Sequence, residues 1–255
     1  MAICKLCSQD RRLIKAHSIP EAFFRELRTA GEMPLIISGN SSLLQKRAPI
    51  GVYDKTILCN TCEPMFGDID NYGIEVLLKK FNQHFHPLNN VGKTAGFESS
   101  SVDSARLLQF LVSVLWRASV SSHSFYSKVT LGPHEILASH AANTTKIASG
   151  VFDAVLSRWI DENEKIPTTA ILDPRPEKWS GINAYRVYLG KIVAYVKVDK
   201  RPFPKGLDEL SLCSSPKALI VGREMEKSKD LRALKFTAKN SHENVIKIRE
   251  AFNNR

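Results

Sequence analysis

Four of the five cysteines fall in two pairs with the same internal spacing, Cys4-Lys-Leu-Cys7 and Cys59-Asn-Thr-Cys62, and Cys213 stands alone. Two residues between cysteines make a tight turn that aims both sulfurs at one point, and two such turns supply the four thiolates of a tetrahedral zinc site. One pair alone fits thiol redox chemistry or chance; two pairs in one chain point to structural zinc. Four thiolates fill the coordination sphere, so this zinc is expected to hold the fold and do no chemistry.

A second set of candidates is cationic. Arg186, Tyr188, Lys191, Tyr195 and Lys197 interleave basic and aromatic side chains across a strand–Gly190–strand pattern. Such a surface can track a phosphate backbone while stacking bases, and it equally suits the outer face of a plain hairpin. Arg117 closes the apolar run Leu107 to Trp116, where a guanidinium needs a phosphate or, more plainly, a core acid. The chain carries 36 basic against 26 acidic residues, and residues 178–255 hold nearly all of the excess, seventeen basic against eight acidic. A basic surface captures polyanions, which makes nucleic acid the expected partner and a solvated basic face the alternative.

The elements that position these groups read as an α+β protein. With 255 residues, 43% of them hydrophobic, the chain builds a real core and is neither a disulfide mini-protein nor a disordered tail. A zinc-pinned ββα module is expected in residues 1–99, a helical region in 100–165, and a small antiparallel sheet with a terminal helix in 166–255. In the first unit, residues 51–58 read as a strand and the segment after Cys62 as a helix. Another helix carries Phe23, Phe24 and Leu27, and residues 29–50 form a polar loop or hairpin excursion. Helices are expected over Asp103–Tyr126, Ile136–Ser149, Val151–Glu162 and His242–Phe252. Strands are expected over Thr168–Leu172, Asn183–Leu189, Lys191–Val198 and Ala218–Val221. No apolar run approaches the ~20 residues a bilayer requires, and the N-terminus lacks the apolar stretch of a signal peptide, so no membrane contact and a cytoplasmic address are expected. Neither a phosphate-cradling glycine loop nor a Ser-His-Asp arrangement stands out, which leaves nucleotide-dependent and acyl-transfer chemistry without support.

The order Cys-x-x-Cys, His17-Ser18-Ile19-Pro20, then Leu58-Cys59-x-x-Cys62-Glu63 resembles the zinc-containing branch of the HNH (ββα-metal) endonucleases. Phe110-Leu111-x-Ser113-x-Leu115-Trp116-Arg117-Ala118-Ser119, followed by Leu131-Gly132-Pro133-His134-Glu135, is similar to a bacterial HNH-related family, and the resemblance covers roughly residues 1–140. It implies that His17 is the general base of phosphodiester hydrolysis and that Asp54 orients the imidazole. Glu63 would hold a catalytic Mg²⁺ or Mn²⁺ together with Asp70, and Asp68 stands nearby. The residue before the base, an acidic or His ligand in that family, is Ala16 here. Either Glu63, Asp70 and phosphate oxygens hold the ion, or no catalytic ion binds. The plainer alternatives make His17 a packed residue bonded to a carbonyl, and Asp54 and Glu63 turn and helix-cap acids. The implied activity is an endonuclease, on DNA more than RNA, with Arg117, Arg186, Lys191 and Lys197 on the nucleic acid. Its setting would be bacterial defence against phage, as a homodimer or beside a partner protein of a defence system. The alternative is a catalytically silent, zinc-stabilised module that binds nucleic acid or protein.

Overall fold

A hairpin carries the first knuckle: β1 (Ala2–Ile3) pairs antiparallel with β2 (Asp10–Arg11). Ser8 takes a φ of 57°, and the turn closes through Cys4 N–H to Gln9 O (3.0 Å) and Ser8 N–H to Cys4 O (2.9 Å). These bonds belong to a computed structural model that describes residues 2–26, 35–37, 46–47, 50–142, 150–160, 170–225, 227–233, 235–236 and 239. β3 (Ala16–His17) leads into α1 (Glu21–Arg25), which buries Phe23 and Phe24. The excursion contains an antiparallel pair, β4 (Leu35–Ile37) with β5 (Lys46–Arg47). β6 (Tyr53–Asp54) then returns antiparallel to β3, setting Ala16 opposite Asp54 and His17 opposite Tyr53.

Glu63–Phe66 is a 3₁₀ turn that opens α2 (Gly67–Ile74), and a π-helical turn (Glu75–Lys79) joins it to α3 (Phe81–His84). In chain order α2 follows the β3–β6 pair, with α1 and the β4–β5 pair between its two strands. A hairpin of β7 (His86–Asn90) and β8 (Lys93–Ser99) precedes α4 (Ser104–Ser119), whose first turn is capped by Asp103 Oδ1 accepting from Arg106 N–H (3.0 Å). Every residue of α4 from Leu107 to Ala118 is buried. The helix packs on α2, on α5 (Glu135–Ser139) and on the sheet behind it. Gly73 makes the approach to α2 close, since a Cβ there would meet the Phe110 ring at 2.6 Å. The expected helix Asp103–Tyr126 ends at Ser119, and Ser124–Tyr126 is a separate 3₁₀ turn. Of the expected helix Ile136–Ser149, α5 and a 3₁₀ turn over His140–Ala142 are present, and residues 143–149 lie outside the described ones.

The expected helix Val151–Glu162 is instead a strand, β9 (Phe152–Trp159). A short strand, β10 (Ala170–Leu172), then pairs parallel with β4. After it come β11 (Arg175–Trp179), β12 (Ile182–Leu189), β13 (Ile192–Val198) and β14 (Ala218–Arg223). With β7, β8 and β9 these last four make one seven-stranded sheet in the order β11-β12-β13-β9-β14-β8-β7. It is mixed, because β14 runs parallel to β9 while the other neighbours are antiparallel. The small antiparallel sheet expected in 166–255 thus grows by three strands from earlier in the chain. Gly190, with a φ of 63°, turns β12 into β13 as the hairpin reading required. The expected helix His242–Phe252 lies outside the described residues. Among the described residues no helix is long and apolar enough to cross a membrane.

Candidate functional site

The Sγ atoms of Cys4, Cys7, Cys59 and Cys62 all lie within 4.8 Å of one another. Zinc–thiolate bonds of about 2.3 Å in a tetrahedron separate sulfurs by roughly 3.8 Å, so this donor set fits one zinc ion. Backbone bonds bring the two knuckles together: Lys5 N–H donates to Ile57 O (2.8 Å) and Ile14 N–H to Leu58 O (3.0 Å). Cys59 N–H also points at Cys4 Sγ (3.4 Å). Burial works against charge on Cys59, yet backbone N–H groups and neighbouring thiols outweigh it and hold this thiol below its ordinary range. Burial pushes Cys62 upward, and the adjoining sulfurs add to that. Cys213 lies apart, its thiol pushed up to about 12 by burial and by Asp153.

His17, Glu63, Asp70 and Arg117 gather where β3 meets the start of α2. The His17 Nε2–H donates to the Ile50 carbonyl (3.0 Å), which leaves Nδ1 as the acceptor nitrogen. Burial lowers the imidazole pKa, and the bond to Ile50 works the other way. The His17 carbonyl accepts from Arg117 Nη1 (3.0 Å), and the same guanidinium forms a fork on Asp70, with Nη1–Oδ2 at 2.7 Å and Nη2–Oδ1 at 2.5 Å. Arg117 also stacks over the Phe66 ring at 4.7 Å. Two expectations are corrected here: Arg117 meets a core acid rather than a phosphate, and Asp70 gives both oxygens to Arg117 rather than to an ion. Asp68 is likewise taken, by Arg106 at 2.5 Å. The Glu63 carboxylate makes no hydrogen bond or ion pair with another described residue. Its pKa is raised by burial, with Arg117 opposing and Asp70 reinforcing the shift. The Glu63–Asp70 pair therefore does not fit a catalytic Mg²⁺ or Mn²⁺. The cysteine cluster is the one group of three or more candidate ligands among the described residues.

Asp54 does not orient His17. Side chains along a strand alternate faces, so Asp54, opposite Ala16, points away from His17, which lies opposite Tyr53. The orienting bond comes instead from the Ile50 carbonyl. Asp54 acts as a clamp between β6 and the end of α4. Its Oδ1 accepts from Thr56 N–H (2.7 Å) and Oγ1 (2.6 Å), and its Oδ2 from Ser121 Oγ (2.7 Å) and Ser122 N–H (2.8 Å). Burial alone would raise its pKa, but these donors outweigh it and hold the carboxyl at about 2. Because the folded value lies below the unfolded one, the clamp's contribution is complete above about pH 4 and is lost as pH falls towards about 2. Asp54→Ala is expected to cost about 2 kcal/mol at neutral pH, with the gap between parent and variant closing over that acid window. Urea unfolding of both proteins across the window checks this, the comparison cancelling any acid effect on zinc. A gap that stays constant with pH would show that the carboxylate charge is not what holds the clamp.

The interleaved cations are corrected in the same way. β12 and β13 lie inside the sheet and are buried along nearly their whole length. Arg186 is enclosed between Glu177 (2.5 Å) and Asp230 (2.5 Å), and Tyr188 donates to the same Asp230 oxygen. Lys197 Nζ donates to the carbonyls of Gly150, Asp199 and Arg201 at 2.7, 2.8 and 2.9 Å. Neither is free to meet a phosphate. Lys191, at the exposed turn between the strands, remains on the surface. Comparison of the chain with family models, with curated proteins and with solved structures gives no match.

Proposed function

We propose that the zinc-knuckle ββα module hydrolyses nucleic-acid phosphodiesters, DNA before RNA, with His17 taking the proton of the attacking water. A bond from His17 to a carbonyl is also what a packed residue makes, so the observation that carries this reading is the Nδ1 atom, which has no hydrogen-bond partner among the described residues. The His17 Nε2–H is tied to Ile50, the His17 carbonyl is fixed by Arg117, and Nδ1 is left to accept a proton. The resemblance to HNH endonucleases over the knuckles supports it. Asp70 and Arg117 act here as positioning residues, holding the His17 backbone in place.

His17→Ala is expected to lower cleavage roughly 10²–10⁴-fold, the usual weight of a positioned base, with zinc content and melting unchanged. Plasmid cleavage by parent and variant, with chelator and with added Mg²⁺ or Mn²⁺, provides the measurement. A parent that cuts neither DNA nor RNA under any of these conditions overturns the reading. The Asp70–Arg117 pair and Ala16 favour a second reading, a zinc-pinned module that binds nucleic acid or protein without cutting it. That module would bind equally well with and without His17.

A further inference from the structure

A groove of about 680 Å³ runs beside the first knuckle, on a part of the surface that none of the residues discussed as catalytic enters. It is lined by Lys5, Arg11, Arg12 and Lys55 together with the exposed Thr56 and Ser122, and no acidic side chain lines it. Lys5, Arg12 and Lys55 are exposed and form no ion pair with a described residue. Arg11 donates only to Thr61 Oγ1 (2.9 Å). Asp54, beside the lining residues, has its oxygens already covered by Thr56, Ser121 and Ser122, and Asp10 stands across the β1–β2 hairpin from Ile3. Since Thr56, Ser121 and Ser122 line the groove, it lies on the Asp54 side of the strand pair, away from the His17 ring.

Four cations with no acid among the lining residues make this open, concave surface locally positive, and such a field attracts anions. The charges come from the knuckle turn, the end of β2 and the segment after β6. The groove is larger than a single phosphate ion fills, and its phosphate donors are the four cations, since the Thr56, Ser121 and Ser122 hydroxyls already donate to Asp54. Ile3, 55% exposed on its wall, adds an apolar surface of the kind a sugar face accepts. We propose that this groove binds the phosphodiester backbone of a nucleic acid. It does so by phosphate contacts, which fix position and carry no sequence preference. The assignment does not depend on His17 chemistry, and it replaces the interleaved cations of β12 and β13 as the place where nucleic acid sits.

The test is fluorescence anisotropy of a short labelled DNA duplex with the zinc-loaded protein, titrated at several salt concentrations without added divalent ions. Arg12→Glu with Lys55→Glu is expected to weaken binding at least about tenfold. The salt slope should flatten by about 2, near 0.9 for each phosphate that is no longer neutralised. Lys191→Glu with Lys205→Glu, the same charge change at exposed positions outside the groove, is expected to leave both nearly unaltered. Should the first pair misfold, judged by zinc content and melting, Arg12→Gln with Lys55→Gln gives the same direction at smaller size. The proposal is overturned if the groove variants bind like the parent at every salt, or if the pair outside the groove weakens binding as much. Displacement of the duplex by polyglutamate at equal charge concentration would also overturn it, reassigning the groove to an acidic protein segment. Failure of cleavage with intact, groove-dependent binding would sink the hydrolase reading alone.

Discussion

Replacing Cys59 with serine is expected to empty the zinc site and unfold the N-terminal module, with a loss on the order of 5 kcal/mol or more. Structural zinc in isolated fingers binds with roughly 10–16 kcal/mol, and because no preformed site exists in the unfolded chain, that binding energy is folding energy. Here the regular secondary structure that joins the two knuckles is short, although Leu6 and Leu13 pack with Ile57 and Leu58 in a shared core. The strand pairs β1–β2 and β3–β6 are two residues long on each side, and the backbone bonds from Lys5 to Ile57 and from Ile14 to Leu58 must span the gap. Metal analysis and thermal unfolding of Cys59→Ser and Cys4→Ser should both report the loss, while Cys213→Ser serves as a control and keeps its zinc. Two knuckle variants with one zinc per chain and the parent's melting curve would show that the four sulfurs do not act as one site.

That site was legible because its signal is covalent spacing: two residues between thiols specify a turn whatever surrounds it. The elements misread from the sequence are those whose character is set by neighbours distant in the chain. β9 is flanked by β13 and β14 and buried on both faces, so its sequence lacks the alternation that marks a half-exposed strand. Phe152, Val155, Leu156 and Trp159 then match a helical face by coincidence. Arg186 and Lys197 read as surface cations for a related reason. Nothing local announces that Asp230, forty-four residues on, and the carbonyls of Gly150 and Arg201 will enclose them. The Asp54 clamp had a partial signal, since Ser121-Ser122 directly follows an apolar helix and offers hydroxyls and N–H groups at its end. Only the antiparallel register of β3 and β6, however, decides that Asp54 faces those serines and not His17. The groove cations stand far apart in the sequence, and Lys5 and Lys55 come to one groove only through the fold, where Lys5 N–H reaches the Ile57 carbonyl.

Removing the Asp70 carboxylate is expected to destabilise the protein by about 3–5 kcal/mol, the usual cost of leaving one partner of a buried ion pair uncompensated. The Arg117 side chain is 4% exposed and that of Asp70 17%, so the guanidinium left behind is itself almost shut off from water. Arg117 would keep only the His17 carbonyl, Ser113 and the Phe66 face as partners. Asp70→Ala therefore costs more than Arg117→Leu combined with Asp70→Leu, in which neither charge remains buried. Urea unfolding of the three proteins forms the comparison. The ranking separates two roles that sequence alone leaves open. A phosphate-binding Arg117 would survive loss of Asp70 with little change in stability and would reveal itself in weaker, less salt-sensitive DNA binding. A core Arg117 gives the opposite pattern, with stability reduced and groove-dependent binding retained wherever the chain still folds. Because the same guanidinium fixes the His17 carbonyl, the second pattern also makes the ion pair the link by which the buried helix α4 sets the position of the proposed base.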